Sequence, residues 1–461
     1  MTAERGPLGL YLHIPFCRSK CRYCDFYSLP RAEGEMDRYV RALTAQLIRQ
    51  APLTAGYGVD TIYFGGGTPS YLGWRRLTSL LETALDHYRV CPDSEITLEA
   101  NPDSLEDPGQ VRELVSAGFN RVSLGVQSAD DGELRAMGRV HTFAQARSAV
   151  RAARMGGIEN LSLDLIYGLP DQTMDRWRRT VERVLELEPE HLSCYGLKLE
   201  EGTPLWRQRE ELTLPDGDRQ ADMVLWTVDR LAAAGYEQYE ISNFARPGFA
   251  SRHNQKYWDL SPYLGFGPGA HSDFGGVRYA WARSLAEYCR AIEDGREPPL
   301  SEKEAISLRE RAGEYVMLGL RTARGLDRRA FEDRYGLSFA PVERVLEGLA
   351  PTGHVLPLPE GRWRLTPQGF LVSNQIIGLA LTMVCCIILG MGVPTTANYC
   401  IMASTCAPIL IKMGIPVVAA HFFVFYFGIV ADITPPVALA AYAGSAIAKS
   451  DPMKTGVNAT K

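Results

Sequence analysis

Three cysteines, Cys17, Cys21 and Cys24, stand in the spacing C-x3-C-x2-C within CRSKCRYC. Thiolates are the usual ligands of iron–sulfur cubanes, and three so close together can wrap one face of a 4Fe-4S cluster. Three protein donors leave the fourth iron open to a chelating small molecule. Two plainer readings use the same residues: a zinc site, or unconnected free thiols. Zinc wants a fourth Cys or His at ligand spacing; none follows nearby, although His13 lies upstream. The apolar run at 11–16, directly before Cys17, is a strand candidate and favours the cluster.

A trio of thiols needs a scaffold to aim it. Apolar runs at 8–16, 59–64, 95–100, 121–127, 161–166 and 191–199 alternate with helical stretches, such as the stripe Met36, Val40, Leu43, Leu47, Ile48. Alternating strands and helices predict an α/β fold with parallel units, and six units predict an incomplete (β/α)6 barrel. In such folds chemistry collects at the carboxyl ends of the strands. Here the runs end in the cysteines, Gly65-Gly66-Gly67-Thr68, Glu99, Gln127, Asp164 and Glu200-Glu201. The expected domains are 1–200 for the barrel, 201–300 for a mixed region, and 301–378 for a small helical domain with a winged hairpin. The hairpin strands are expected at 355–358 and 362–365, turning at Pro359-Glu360-Gly361.

Composition narrows the setting. The 461 residues carry a net charge of -5, and no basic recognition helix accompanies the wing, so nucleic acid is not an expected partner. Ten cysteines in so long a chain, with no signal-peptide pattern, predict a reducing, cytoplasmic setting for the core. Residues 1–378 hold 41 Arg and 4 Lys, whereas 379–461 hold 4 Lys and neither Arg nor Glu. The switch coincides with a rise in hydrophobicity near Gly378, so the chain reads as two pieces of separate origin. Residues 376–393 form an uncharged apolar run of membrane-spanning length, followed by a second at 417–430. The expectation for 379–461 is a hydrophobic, membrane-type helical tail, with membrane contact through this segment alone.

The motifs carry resemblances. YLHIPFCRSKCRYC, together with GGGTPSYL at 65–72, LEANPDS at 98–104, RVSLGVQS at 121–128 and LDLIYGLP at 163–170, resembles the radical S-adenosylmethionine (SAM) enzymes. Within them it is similar to the oxygen-independent coproporphyrinogen III oxidase family, over about 8–378. The resemblance implies SAM on the open iron and one-electron cleavage of its sulfonium. It implies that Tyr11, Gly66, Gly67, Thr68, Glu99, Gln127, Arg139 and Asp164 contact SAM: Glu99 and Arg139 at the amino-acid end, Gln127 and Asp164 near the sugar. The oxidase resemblance also implies a fourth cysteine two residues after the third, where this chain has Phe26. In its place stands His253-Asn254-Gln255-Lys256-Tyr257-Trp258, an HNxxYW motif that resembles the heme-chaperone branch of the family. That branch implies heme held by His253, Asn254, Tyr257 and Trp258, and a heme-accepting protein as partner; a second copy of the chain is a further candidate partner. Oxidative decarboxylation of coproporphyrinogen III is the alternative activity. Residues 380–461 resemble the end of the large permease subunit of TRAP-type transporters.

Overall fold

A computed structural model describes residues 6–390, 395–412 and 415–433. The chain divides into two compact units, Met1–Ser307 and Leu308–Lys461.

The first unit is built on six parallel strands: β1 (Pro7–Ile14), β2 (Gly58–Gly66), β3 (Val90–Ala100), β4 (Arg121–Gln127), β5 (Asn160–Tyr167) and β6 (His191–Gly196). Between them run helices α1 (Met36–Gln50), α2 (Trp74–His87), α3 (Pro108–Ala117), α4 (Phe143–Gly156) and α5 (Met174–Leu185). Local chemistry sets the helix ends. Thr142 and Gln145 form a reciprocal capping box at the start of α4, and Gly157, at φ 101°, closes it in the left-handed region. Thr173 caps α5 by accepting from the Arg176 N–H. On α1, Met36, Leu43 and Leu47 are buried with Tyr39, whereas Ile48 faces solvent.

The six expected strands are all present, but they belong to a longer sheet. Twelve strands form one sheet whose edge strands do not pair with each other, so no barrel closes. Tyr263–Phe266 adds to β1 in parallel, and the antiparallel strands His271–Phe274, Val277–Trp281 and Leu300–Ala305 follow. At the other edge, Asn243–Ala245 and Glu237–Gln238 extend β6 as a hairpin. The residues expected to form a separate mixed region therefore complete the first unit, because strand edges left by a half-barrel find their partners there. Alternation places Leu, Val and Ile of each strand against the helices. The intervening polar residues face the barrel interior.

In the second unit, Val355–Leu358 and Arg362–Leu365 pair antiparallel as expected, joined by Leu326–Asp327. Helix Ser373–Gly390 continues from the wing, followed by Thr395–Lys412 and Val417–Ile433. Met402, Ala407, Leu410, Ala420 and Val424 form a small apolar cluster that also takes in Val345 of helix Ala340–Leu349. Among the described residues, no helix is long and apolar enough to cross a membrane. The expected apolar run 376–393 falls partly on helix Ser373–Gly390, and its last residues, 391–393, lie outside the described residues. Residues 434–461, including Pro435 and Pro436, lie outside the described residues.

Candidate functional site

Strand β1 delivers the cysteine loop to the open, carboxyl end of the barrel, where Cys17, Cys21 and Cys24 line a cavity of about 430 Å³. The glycine run at the end of β2 holds that loop. The Gly67 N–H donates to Ile14 O at 2.9 Å and the Thr68 N–H to Phe16 O at 2.8 Å. A Cβ on Gly67 would stand 2.8 Å from Phe16 O, and one on Gly66, at φ 114°, would strike the His13 ring at 2.6 Å. Gly67 is therefore required for the close approach of two backbones, and Gly66 for its positive φ beside the His13 ring.

A polar chain links two of the cysteines. The Thr68 hydroxyl donates to Cys17 Sγ at 3.4 Å and accepts from Asn101 Nδ2 at 3.1 Å. Asn101 Oδ1 accepts from Arg139 Nη2 at 2.7 Å, and Arg139 Nη1 reaches Cys21 Sγ at 3.4 Å. Arg139 Nη2 is also fixed by Gly125 O at 2.7 Å. Burial pushes the Cys24 thiol up to about 11 and also raises Cys17. Binding to iron supplies the positive charge that offsets this cost. Among the described residues, no three His, Cys, Asp or Glu side chains stand close enough to share one metal ion. Phe26, at the oxidase's fourth-cysteine position, lies at the mouth and is 63% exposed.

Deeper in, Glu99 accepts from the Tyr63 hydroxyl at 2.7 Å and the Gly66 N–H at 3.0 Å. Its enclosed position raises its carboxyl to about 7; the bonds from Tyr63 and Gly66 oppose the rise and the Asp164 charge adds to it. Asp164 accepts from the Ser123 hydroxyl at 3.1 Å and is also raised by burial. Gln127, at φ 67°, lines the same cavity, as does Asn254.

Four expected site residues lie elsewhere. Tyr11 is packed behind Tyr63, with ring centroids 6.1 Å apart, and its hydroxyl bonds His13 Nδ1 at 3.0 Å. His253, Tyr257 and Trp258 belong to helix Arg252–Asp259, which plugs the amino end of the barrel. The Glu95 carboxylate caps that helix, accepting from the N–H groups of Arg252 and His253 at 3.0 Å each. Lys256 reaches Asp60 at 2.6 Å. His253 is 1% exposed and stacks on Tyr63 at 5.0 Å. Its Nδ1 bonds the Thr61 hydroxyl at 2.8 Å and its Nε2 the Tyr257 hydroxyl at 3.0 Å. Both ring nitrogens are thus committed, and burial lowers the imidazole to about 3, keeping it neutral.

Sequence reasoning missed Tyr63, Asn101, Arg121, Ser123, Ser193 and Tyr195, all of which line the cavity. Their signal was present as polar residues at every second position of otherwise apolar strands. It went unread because the same period describes a solvent-facing side.

The Radical SAM superfamily model matches residues 11–184, and the HemN C-terminal domain model matches 306–372. The DctM component of the tripartite ATP-independent periplasmic transporter matches 368–460, in line with the permease resemblance of the tail. Coproporphyrinogen III oxidase (HemN) from Escherichia coli, whose structure is described as that of a radical SAM enzyme, is 27% identical. It superposes with a TM-score of 0.71 over 81% of this chain and 90% of that one. Fold and cavity together are those of a radical SAM protein. Heme chaperone HemW of Bacillus subtilis is 36% identical over 80% of this chain and 98% of its own length. HemW of Escherichia coli is 35% identical over 81% and 98%. The chain belongs to the HemW heme chaperone family.

Proposed function

We propose that this chain binds heme and hands it to an acceptor protein, using a 4Fe-4S cluster and SAM at the barrel mouth. The observation that carries the reading is the intact thiol pocket, with exposed Phe26 where the oxidase resemblance implies a further cysteine. The match to HemW relatives over almost their full length supports it. A cluster held there would supply one-electron chemistry and an open iron for SAM. The chain's own residues do the rest. Arg139 and Thr68 donate toward thiolate sulfur, which stabilises its negative charge. Glu99, positioned by Tyr63 and Gly66, receives the methionyl ammonium; Asp164 and Gln127 serve the ribose hydroxyls.

Anaerobically reconstituted protein, given SAM, reductant and coproporphyrinogen III, is expected to release no decarboxylated product. The same preparation is expected to bind heme and pass it to an apoprotein, read by the shift in the Soret band. Multiple-turnover decarboxylation would replace this reading with the oxidase.

A further inference from the structure

Arg121 opens β4 and is the largest charged side chain fully enclosed in the molecule, at 1% exposure. It faces inward, one interior position below Ser123, and lines the same cavity as the cysteines. Its Nε has no hydrogen-bond partner. Two carboxylates feel its charge, since Arg121 lowers both Glu99 and Asp164 against the effect of burial. Neither makes a salt bridge with it. Glu99 is occupied by Tyr63 and Gly66, and Asp164 by Ser123 and Ser162. A buried guanidinium left unpaired is costly unless something completes it. Here the neighbouring acids are bonded by neutral donors rather than by Arg121, and the guanidinium lines the cavity.

We propose that Arg121 is an anion-receiving residue in the barrel interior, and that it takes a carboxylate through its planar fork. The carboxylate is distinct from one chelated at the cluster. Gln127, at the rim, is about 20 Å along the strand from Arg121, farther than an arginine side chain extends. Two sources share this chemistry: a propionate arm of a tetrapyrrole, or a small free carboxylic acid. The first rests on the heme reading above; the second does not.

The full-length, anaerobically reconstituted protein and its Arg121→Gln and Arg121→Lys variants are titrated with heme, with heme dimethyl ester, whose propionates are blocked, and with acetate and succinate. If a propionate is the ligand, the wild type prefers heme to its diester by roughly 10- to 100-fold. That ratio falls to near one in Arg121→Gln and is partly restored in Arg121→Lys. Acetate or succinate binding that disappears in Arg121→Gln, with the heme-to-diester ratio unchanged, assigns the site to a free acid. A wild type that binds acetate or succinate through Arg121 but no heme sinks the proposed function and leaves the anion site standing. Thermal unfolding without ligand supplies an independent readout. A receptor arginine is relieved by substitution, so ligand-free Arg121→Gln melts at or above the wild-type temperature. A lower melting temperature, combined with unchanged affinity for every probe, makes Arg121 a structural residue and overturns the proposal.

Discussion

The two ends of the barrel are built from similar residue types and treat them in opposite ways. At the floor, His253 bonds Thr61 and Tyr257, its backbone N–H donates to Glu95, and Lys256 pairs with Asp60, so these polar groups find their partners inside the protein. At the mouth, Thr68, Asn101 and Arg139 form a chain that ends on sulfur, and Cys17, Cys21, Cys24 and Glu99 face a cavity. The difference teaches that a motif rich in His, Asn and aromatics can be a closure, while the reactive end is marked by groups fixed in place yet open on one side. Buried polar networks stabilise when complete; one left open toward a cavity is prepared for a ligand.

Substitutions at the two ends separate these roles. The largest effect is expected from Cys21→Ser at the mouth: iron and sulfide content and the charge-transfer absorbance near 400 nm fall to background, while the fold is retained by circular dichroism. Zinc in place of iron and sulfide in oxygen-protected wild type would dismantle the account of the mouth altogether. Next comes His253→Ala at the floor, which removes two buried hydrogen bonds and a stacked ring and costs about 2–4 kcal/mol in denaturant unfolding. Heme stoichiometry separates the two roles of His253: its loss in a variant that still folds assigns the residue to the heme site, and an unchanged value makes it purely structural.

A smaller effect concerns Glu99, whose folded carboxyl titrates at about 7, above its ordinary value of 4.5. Between those values the unfolded chain has released a proton that the folded chain retains, so stability falls as pH rises from 4.5 to 7. Glu99→Gln flattens part of that slope; buried Glu240, also raised to about 7, contributes the same sign and persists in the variant. A cationic ligand favours the ionised carboxylate, so SAM affinity is expected to rise with pH through the same window, and Glu99→Gln to abolish the rise. The smallest effect is Phe26→Ser, which should move stability by less than about 0.5 kcal/mol because the ring is mostly in solvent. A larger loss would show that Phe26 packs against something at the mouth.

Much of the mouth was readable from residues alone. Cysteine spacing, the glycine run and the polar strand ends each identify a position at the carboxyl end of a strand, and parallel strands bring those ends together. The wing hairpin at 355–365 was equally legible, because Pro359-Glu360-Gly361 dictates a turn between two short apolar runs. Tyr11 shares the interior face of the sheet with Tyr63, its register partner on β2, and stands behind that ring, a depth that strand periodicity does not encode. The aromatic-rich stretch 236–244 forms two short strands around Glu240, whose carboxylate accepts from the Ser242 N–H at 3.2 Å.

By itself the sequence determined the strand–helix alternation, the thiol trio and the residues that end each strand, since local spacing and propensity act along the chain. Only the tertiary structure decided which polar side chains are satisfied by neighbours and which remain available. It bonded His253 to Thr61 and Tyr257, and it left Arg121 Nε without a partner. Hydrogen-bond satisfaction depends on atoms remote in the chain and brought within about 3 Å, a distance that no one-dimensional pattern encodes.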